Sequence, residues 1–253
     1  MTFGEMLAVF GAGAGAGAIN TVVGSGTLIT FPVLLATGLP PVTATVSNAL
    51  GLIPGSISGA IGYREELRGQ RRRILRMSAG ALVGGVTGAA LLLVLPAAAF
   101  ETIVPVLVGL ALVLIVLQPW IAKAVRRRRD RSADPDGGPV LLTGLTLASV
   151  YGGYFAAAQG IIYMSLMGML LDEDMQRLNA LRNVLVAVVN TVAALFFLLA
   201  ADFDWTAVGL LAVGSAIGGR AGSALGRRLS PAVLRTLVVA VGTVALVQLL
   251  ARA

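Results

Sequence analysis

Long apolar stretches alternate with short polar ones along the whole chain. Eight of these stretches come near the ~20 residues that a helix needs to cross a bilayer: about 3–23, 41–63, 75–95, 102–122, 139–158, 179–200, 205–226 and 232–251. Two further apolar pieces, 26–38 (GTLITFPVLLATG) and 160–171 (GIIYMSLMGMLL), are too short to cross. Each short piece follows the first long stretch of its half, so both halves read long, short, long, long, long. The pattern predicts an all-α polytopic membrane protein with eight long transmembrane helices and two short, re-entrant or broken ones. Short apolar segments at corresponding places in two halves point to a substrate site.

The polar and glycine positions repeat as well. Asn48 in TVSNALG returns as Asn183 in LRNVLVA, and Gly80, Gly84, Gly85 and Gly88 return at one constant offset as Gly214, Gly218, Gly219 and Gly222. The chain therefore divides into a first repeat over 1–122, a linker over 123–138 (KAVRRRRDRSADPDGG) and a second repeat over 139–253. Arginine-rich loops stay on the cytoplasmic side. That rule places there the loop with Arg64, Arg68, Arg71, Arg72, Arg73 and Arg76, the linker, and the loop with Arg227, Arg228 and Arg235. The opposite connections carry Glu101, Asp202 and Asp204 without a basic residue, and both termini come out external. The Asn48 span then runs inward and the Asn183 span outward. The two repeats are expected to be inverted about a pseudo-two-fold axis in the membrane plane, with the substrate site near the midplane.

Composition agrees. The 253 residues are 57% hydrophobic and 12% charged, with a mean hydropathy of +0.90. There is no cysteine and no histidine, which removes disulfides, thiolate chemistry, haem ligation and the usual zinc sites. No cofactor, metal site or catalytic residue is expected. The net charge of +7 sits in short runs between apolar segments without interleaved aromatics, a topological signal rather than a nucleic-acid surface. The first span follows Glu5 instead of a basic region and reads as a structural helix, not a removable signal. The lipid bilayer is the expected surrounding, and whether copies associate is left open.

Every carboxylate lies in a loop or at a segment end, so a metal or cation carrier lacks ligands. What lies within the spans is hydroxyl, amide, glycine and a few arginines, a set suited to a neutral or anionic solute. Asn20 and Thr21 precede Gly24-Ser25-Gly26, and Thr27 opens the first short segment. Glycines there let backbone approach a ligand, and the following helix start presents free amides to an anion. The corresponding feature of the second half is Ala158-Gln159-Gly160, with Tyr163 on the segment that follows. The alternative for these glycines is close helix packing. Ser47-Asn48 and Arg182-Asn183 stand two turns into long helices, where the amides either meet substrate or bond a neighbouring helix. Arg182 either offers its planar fork to an anion or pairs with Asp172, Glu173 or Asp174. The stripes at 80/84/88 and 214/218/222 read as helix-packing surfaces. Pro32 and Pro54 are expected to end or bend helices.

The run Asn20 to Pro32 (NTVVGSGTLITFP), the run Ala44 to Asn48 (ATVSN) and the helix end Gly59 to Arg64 (GAIGYR) resemble the TauE/SafE family of permeases. A weaker copy occupies the second half. The resemblance implies an inner-membrane carrier of sulfur-containing or small organic anions such as sulfite or a sulfonate. Together these readings predict a secondary transporter for a small anion working by alternating access. The alternatives are a passive anion channel and a non-transporting accessory or assembly protein.

Overall fold

The computed structural model describes all residues except 129–135, 226–235, 237, 245 and 248–253. The middle of the linker, the loop with Arg227, Arg228 and Arg235, and most of the expected last span lie outside the described residues. Among the described residues ten helices have defined bounds: α1 Phe3–Val22, α2 Thr27–Ala36, α3 Pro41–Gly51, α4 Ile53–Gly62, α5 Arg71–Val94, α6 Ala97–Arg128, α7 Gly138–Tyr154, α8 Gln159–Leu170, α9 Met175–Phe197 and α10 Trp205–Leu225. Among the described residues no strand is present. By length and composition alone, α5, Ala98–Ile121 within α6, and α9 can each cross a membrane. At 1.5 Å per residue, α2 and α8 reach about 15 and 18 Å, roughly half of a ~30 Å hydrocarbon core.

Local chemistry sets the helix starts. Thr2 and Glu5 form a reciprocal capping box at the head of α1, which satisfies two otherwise free amides. Asp174 accepts from the Gln176 amide at α9, and Asp204 accepts from Ala207 N at α10. Pro41 occupies the first turn of α3, where its missing N–H costs nothing. The expected 41–63 span is divided at Leu52, with Pro54 in the first turn of α4. The carbonyl of Gly51 exposed by this break accepts from Ser215 Oγ at 2.9 Å. Pro32, by contrast, sits inside α2, and the helix runs on past it to Ala36. The helix α6 extends into the arginines at the head of the linker, as far as Arg128.

The packing crosses the halves. The most extensive helix contacts are α10 on α1 and α5 on α7, followed by α10 on α4 and α5 on α9. The third long element of each half thus leaves its own sequence neighbours and packs on the other half, giving one bundle of α1–α4 with α10 and another of α5 with α7–α9. The glycine stripes make this possible. Gly218 and Gly222 lie directly against the backbone of Ala14 and Ala18 of α1, while Gly84 and Gly88 lie against Thr146 and Val150 of α7. Without side chains between them, these helices approach to backbone contact. The same reciprocity joins α6 to the described part of the last segment, where Gly109 faces Leu246 and Gly242 faces Leu112.

Candidate functional site

Both short helices follow breaks. Between α1 and α2 the chain turns at Gly24, whose φ of +86° is open to glycine and unfavourable for other residues. Between α7 and α8 the turn uses Ala156 (φ +64°) and Ala158 (φ +58°), a left-handed conformation that costs an L-residue roughly 1–2 kcal/mol. Val22 and Tyr154 end their helices, and Thr27 and Gln159 begin the next ones, at one common offset. Gly24-Ser25-Gly26 therefore stands opposite Ala156-Ala157-Ala158, two residues earlier than the sequence comparison places its partner. The glycine signature was conserved in one break only, so matching by glycine slid the register.

The two breaks touch. A Cβ on Gly24 would lie 2.8 Å from the Gly160 Cα, and one on Gly160 would lie 2.7 Å from the Gly24 Cα. Arg182 of α9 passes beside this crossing: Nη1 lies 3.0 Å from the position a Gly24 Cβ would take, and Cδ lies 3.2 Å from that of Gly160. The Arg182 side chain is 1% exposed. Its Nη2 donates to the carbonyls of Asn20 (2.7 Å) and Thr21 (2.9 Å) and to Asn183 Oδ1 (2.9 Å). Those carbonyls belong to the last turn of α1, where no intrahelical donor remains, and the partial negative charge of a helix end favours a cation. No carboxylate pairs with Arg182 among the described residues. Of the three loop acids, Glu173 is engaged by Arg73 (3.0 Å) and Arg177 (2.9 Å), and Asp174 caps α9.

The remaining predicted residues fall around the same crossing. Asn20 Oδ1 accepts from Gly26 N at 2.7 Å, and Thr21 Oγ1 donates to the Gly17 carbonyl. Asn48 of α3 accepts from the Thr30 hydroxyl and donates to Thr27 Oγ1 at 3.3 Å, pinning α2. Asn183 donates to the Thr21 carbonyl at 3.5 Å. The two repeat-related amides thus both serve the first break, and no hydrogen bond joins them. Ser47 faces away from it and accepts from Asp204 N at 3.1 Å. In the second break, Gln159 Nε2 donates to Tyr163 OH at 2.7 Å. Tyr163 OH lies 2.6 Å from Ser149 Oγ. Ser149 itself donates to the Leu145 carbonyl, which makes the phenol the donor to it. Apart from half-buried Asn20, all of these predicted residues are buried. Ser25 Oγ, Gln159 Oε1 and Arg182 Nε are buried without a hydrogen-bond partner.

Sequence reasoning missed several participants. Asn179 Nδ2 donates to the Thr21 carbonyl at 3.1 Å; its spacing from Arg182 and Asn183 places all three on one helix face, a signal present in the sequence. Tyr151 OH donates to the Ala157 carbonyl at 2.6 Å, holding the second break. Phe155 of that break is clasped edge-on by Phe31 of α2 (5.2 Å) and Phe100 of α6 (6.2 Å). Arg220, within the second glycine stripe, is exposed rather than part of the crossing.

The family profile described as Sulfite exporter TauE/SafE matches residues 9–249. The chain belongs to the TauE/SafE family. It is similar to the probable membrane transporter protein YfcA of Escherichia coli K12, with 29% identity over 241 residues, covering 93% of this chain and 86% of that protein. A probable membrane transporter protein of Haemophilus influenzae is 25% identical over 239 residues, 93% of this chain and 91% of its own. Another, ORF9 of a Sinorhizobium species, is 25% identical over 236 residues. No solved structure matches. Membership extends across both breaks and places this TauE/SafE chain among membrane transport proteins.

Proposed function

We propose that this protein is a secondary transporter that carries a small anion across the cytoplasmic membrane by alternating access, with the crossing of the two breaks as its substrate site. The observation that carries the proposal is Arg182: a buried guanidinium without a carboxylate partner, beside two abutting helix breaks and the unpartnered Ser25 hydroxyl. An arginine buried at membrane depth is costly, and its Nη2 is engaged while Nε has no protein acceptor. An oxyanion would supply that acceptor with the fork geometry a guanidinium matches. The family description favours a sulfur-containing anion such as sulfite, or a related sulfonate or C2 organic anion.

The proposal includes eight crossings, with α3 and α4 together making one, and two repeats inverted in the membrane with both termini outside. The reciprocal packing of α5 on α7 and α10 on α1 supports a two-fold relation between repeats. In this reading the rocking bodies are the two mixed bundles rather than the sequence halves.

The test is saturable flux in proteoliposomes, paired with a thermal-shift screen of sulfite, thiosulfate, sulfonates, sulfoacetate and simple carboxylates. Ser25 Oγ bonds nothing in the protein, so Ser25→Ala leaves the melting temperature unchanged and raises the KM for the transported anion. Arg182→Lys keeps the charge but not the fork and loses most of the flux. Absence of any anion-dependent stabilisation or saturable flux overturns the transporter reading. Unchanged kinetics in both variants removes the crossing as the site.

A further inference from the structure

A second feature lies away from the crossing, on the seam between the two bundles. Residues of α4 and α9 border an open groove there of about 480 Å³, lined by Ile57, Ala60, Ile61, Val184, Val188 and Thr191 among others, with Arg64 at one end. From Val184 to Val192 it follows α9 for about 12 Å. Ile57 and Ile61 stand 45% and 59% exposed on its rim.

We propose that this groove seats one acyl chain of an anionic phospholipid, with the headgroup phosphate on Arg64. Three observations select that occupant. The walls are almost entirely aliphatic, so they match hydrocarbon and offer nothing to a polar solute. The volume is small for a transmembrane helix of a second copy, which is ~10–12 Å across, while a single chain fits along it. The mouth is cationic: residues 64–73 hold Arg64, Arg68, Arg71, Arg72 and Arg73 against Glu65 and Glu66. Glu65 sits 2.7 Å from Arg68 Nη1 but 3.6 Å from Arg64 Nε. Glu65 meets the exposed Arg64 only at Nε and at the longer distance, so the terminal nitrogens of Arg64 face a phosphate as juxtamembrane arginines do with anionic lipid. A lipid here touches both bundles at once.

The test is native mass spectrometry of the delipidated full chain titrated with phosphatidylglycerol and, separately, phosphatidylcholine of the same acyl composition. The expected result is one tightly held phosphatidylglycerol per chain, about tenfold tighter than phosphatidylcholine. Ala187 also lines the α9 wall, and Ala187→Trp fills the groove and weakens phosphatidylglycerol binding about tenfold. Arg64→Gln removes the preference between the two lipids. Ile61→Trp, altering the rim, gives the same loss as Ala187→Trp if that variant melts below wild type. Undiminished binding in the folded tryptophan variants overturns the proposal. So does a dimer that the same variants convert to monomer, since that assigns the groove to a second copy.

Discussion

The two helix breaks solve one problem with different means. In the first, glycine takes the left-handed position and polar side chains do the holding: Asn20 reaches the Gly26 amide, Asn48 fastens α2, and Asn179, Arg182 and Asn183 close the end of α1. In the second, alanines take the left-handed positions, and a tyrosine hydroxyl and three aromatic rings hold them. The first break is thus held by polar side chains at low backbone strain, and the second carries strained alanines clasped by aromatic rings, with the neutral Gln159–Tyr163–Ser149 chain beside it. A left-handed alanine persists only where its surroundings over-determine it, and the Phe31–Phe155–Phe100 cluster supplies that constraint. The polar fixtures, including the charge, have gathered on the break that needs least rigid support. The contrast supports the proposal above on one side, with the charged and amide donors at the first break, and gives the second break its rigidity on the other.

The most damaging change to this arrangement is Gly24→Ala. It adds a methyl group 2.8 Å from the Gly160 Cα and forces a non-glycine residue to positive φ, a combined loss of about 3 kcal/mol; a large drop in melting temperature and folded yield checks it. Arg182→Met comes next, because it takes the charged donor from the last turn of α1 and leaves the Asn20 carbonyl and Asn183 Oδ1 without a partner, while Thr21 keeps Asn179 and Asn183, a loss of about 2–3 kcal/mol. Hydrogen exchange localised to residues 19–23 and the start of α2 would reveal that fraying. Asn48→Ala costs about 1–2 kcal/mol by freeing the Thr27 and Thr30 hydroxyls, and limited proteolysis should cut α2 first.

Smaller still is the loop tie at Glu173. Burial alone would raise its pKa, but hydrogen bonds from Arg73 and the Asp174 amide, with the charges of Arg177 and Arg73, bring it below the usual carboxylate value. A lowered native pKa contributes stability that is complete above the unfolded value and disappears as pH falls through the native one. Melting should therefore change little from pH 7 to 5 and fall below that, with Glu173→Gln flattening the profile. The gentlest change is Ala156→Gly or Ala158→Gly, which relieves left-handed alanine and stabilises by up to about 1 kcal/mol. Destabilisation instead would show that the second break is not strained, ending the contrast.

Much of this was legible in the chain. The short segments at 26–38 and 160–171 announced themselves because a bilayer imposes a length on any crossing helix. Pro54 marked the α3–α4 break because it lacks an amide hydrogen. Gly24-Ser25-Gly26 marked the first break because glycine is the residue that pays least for positive φ. The second break was misregistered by two residues, since alanine carries no such mark. Which groups Asn48 and Asn183 bond could not be read either: equivalent places in two repeats do not imply equivalent partners.

By itself the sequence determined the class of protein, the helix breaks and the family, because apolar run length, charge-bearing loops and glycine placement are properties of neighbours along the chain. Only the tertiary structure decided that α5 and α10 pack across the halves, that Gly24 meets Gly160, and that Arg182 closes α1 instead of pairing with the acidic loop. Those outcomes turn on which polar atoms and bare backbone surfaces come within a few ångströms of one another. In a solvent that offers no hydrogen bonds, each buried donor must find its acceptor through space, and residue order alone does not say where that is.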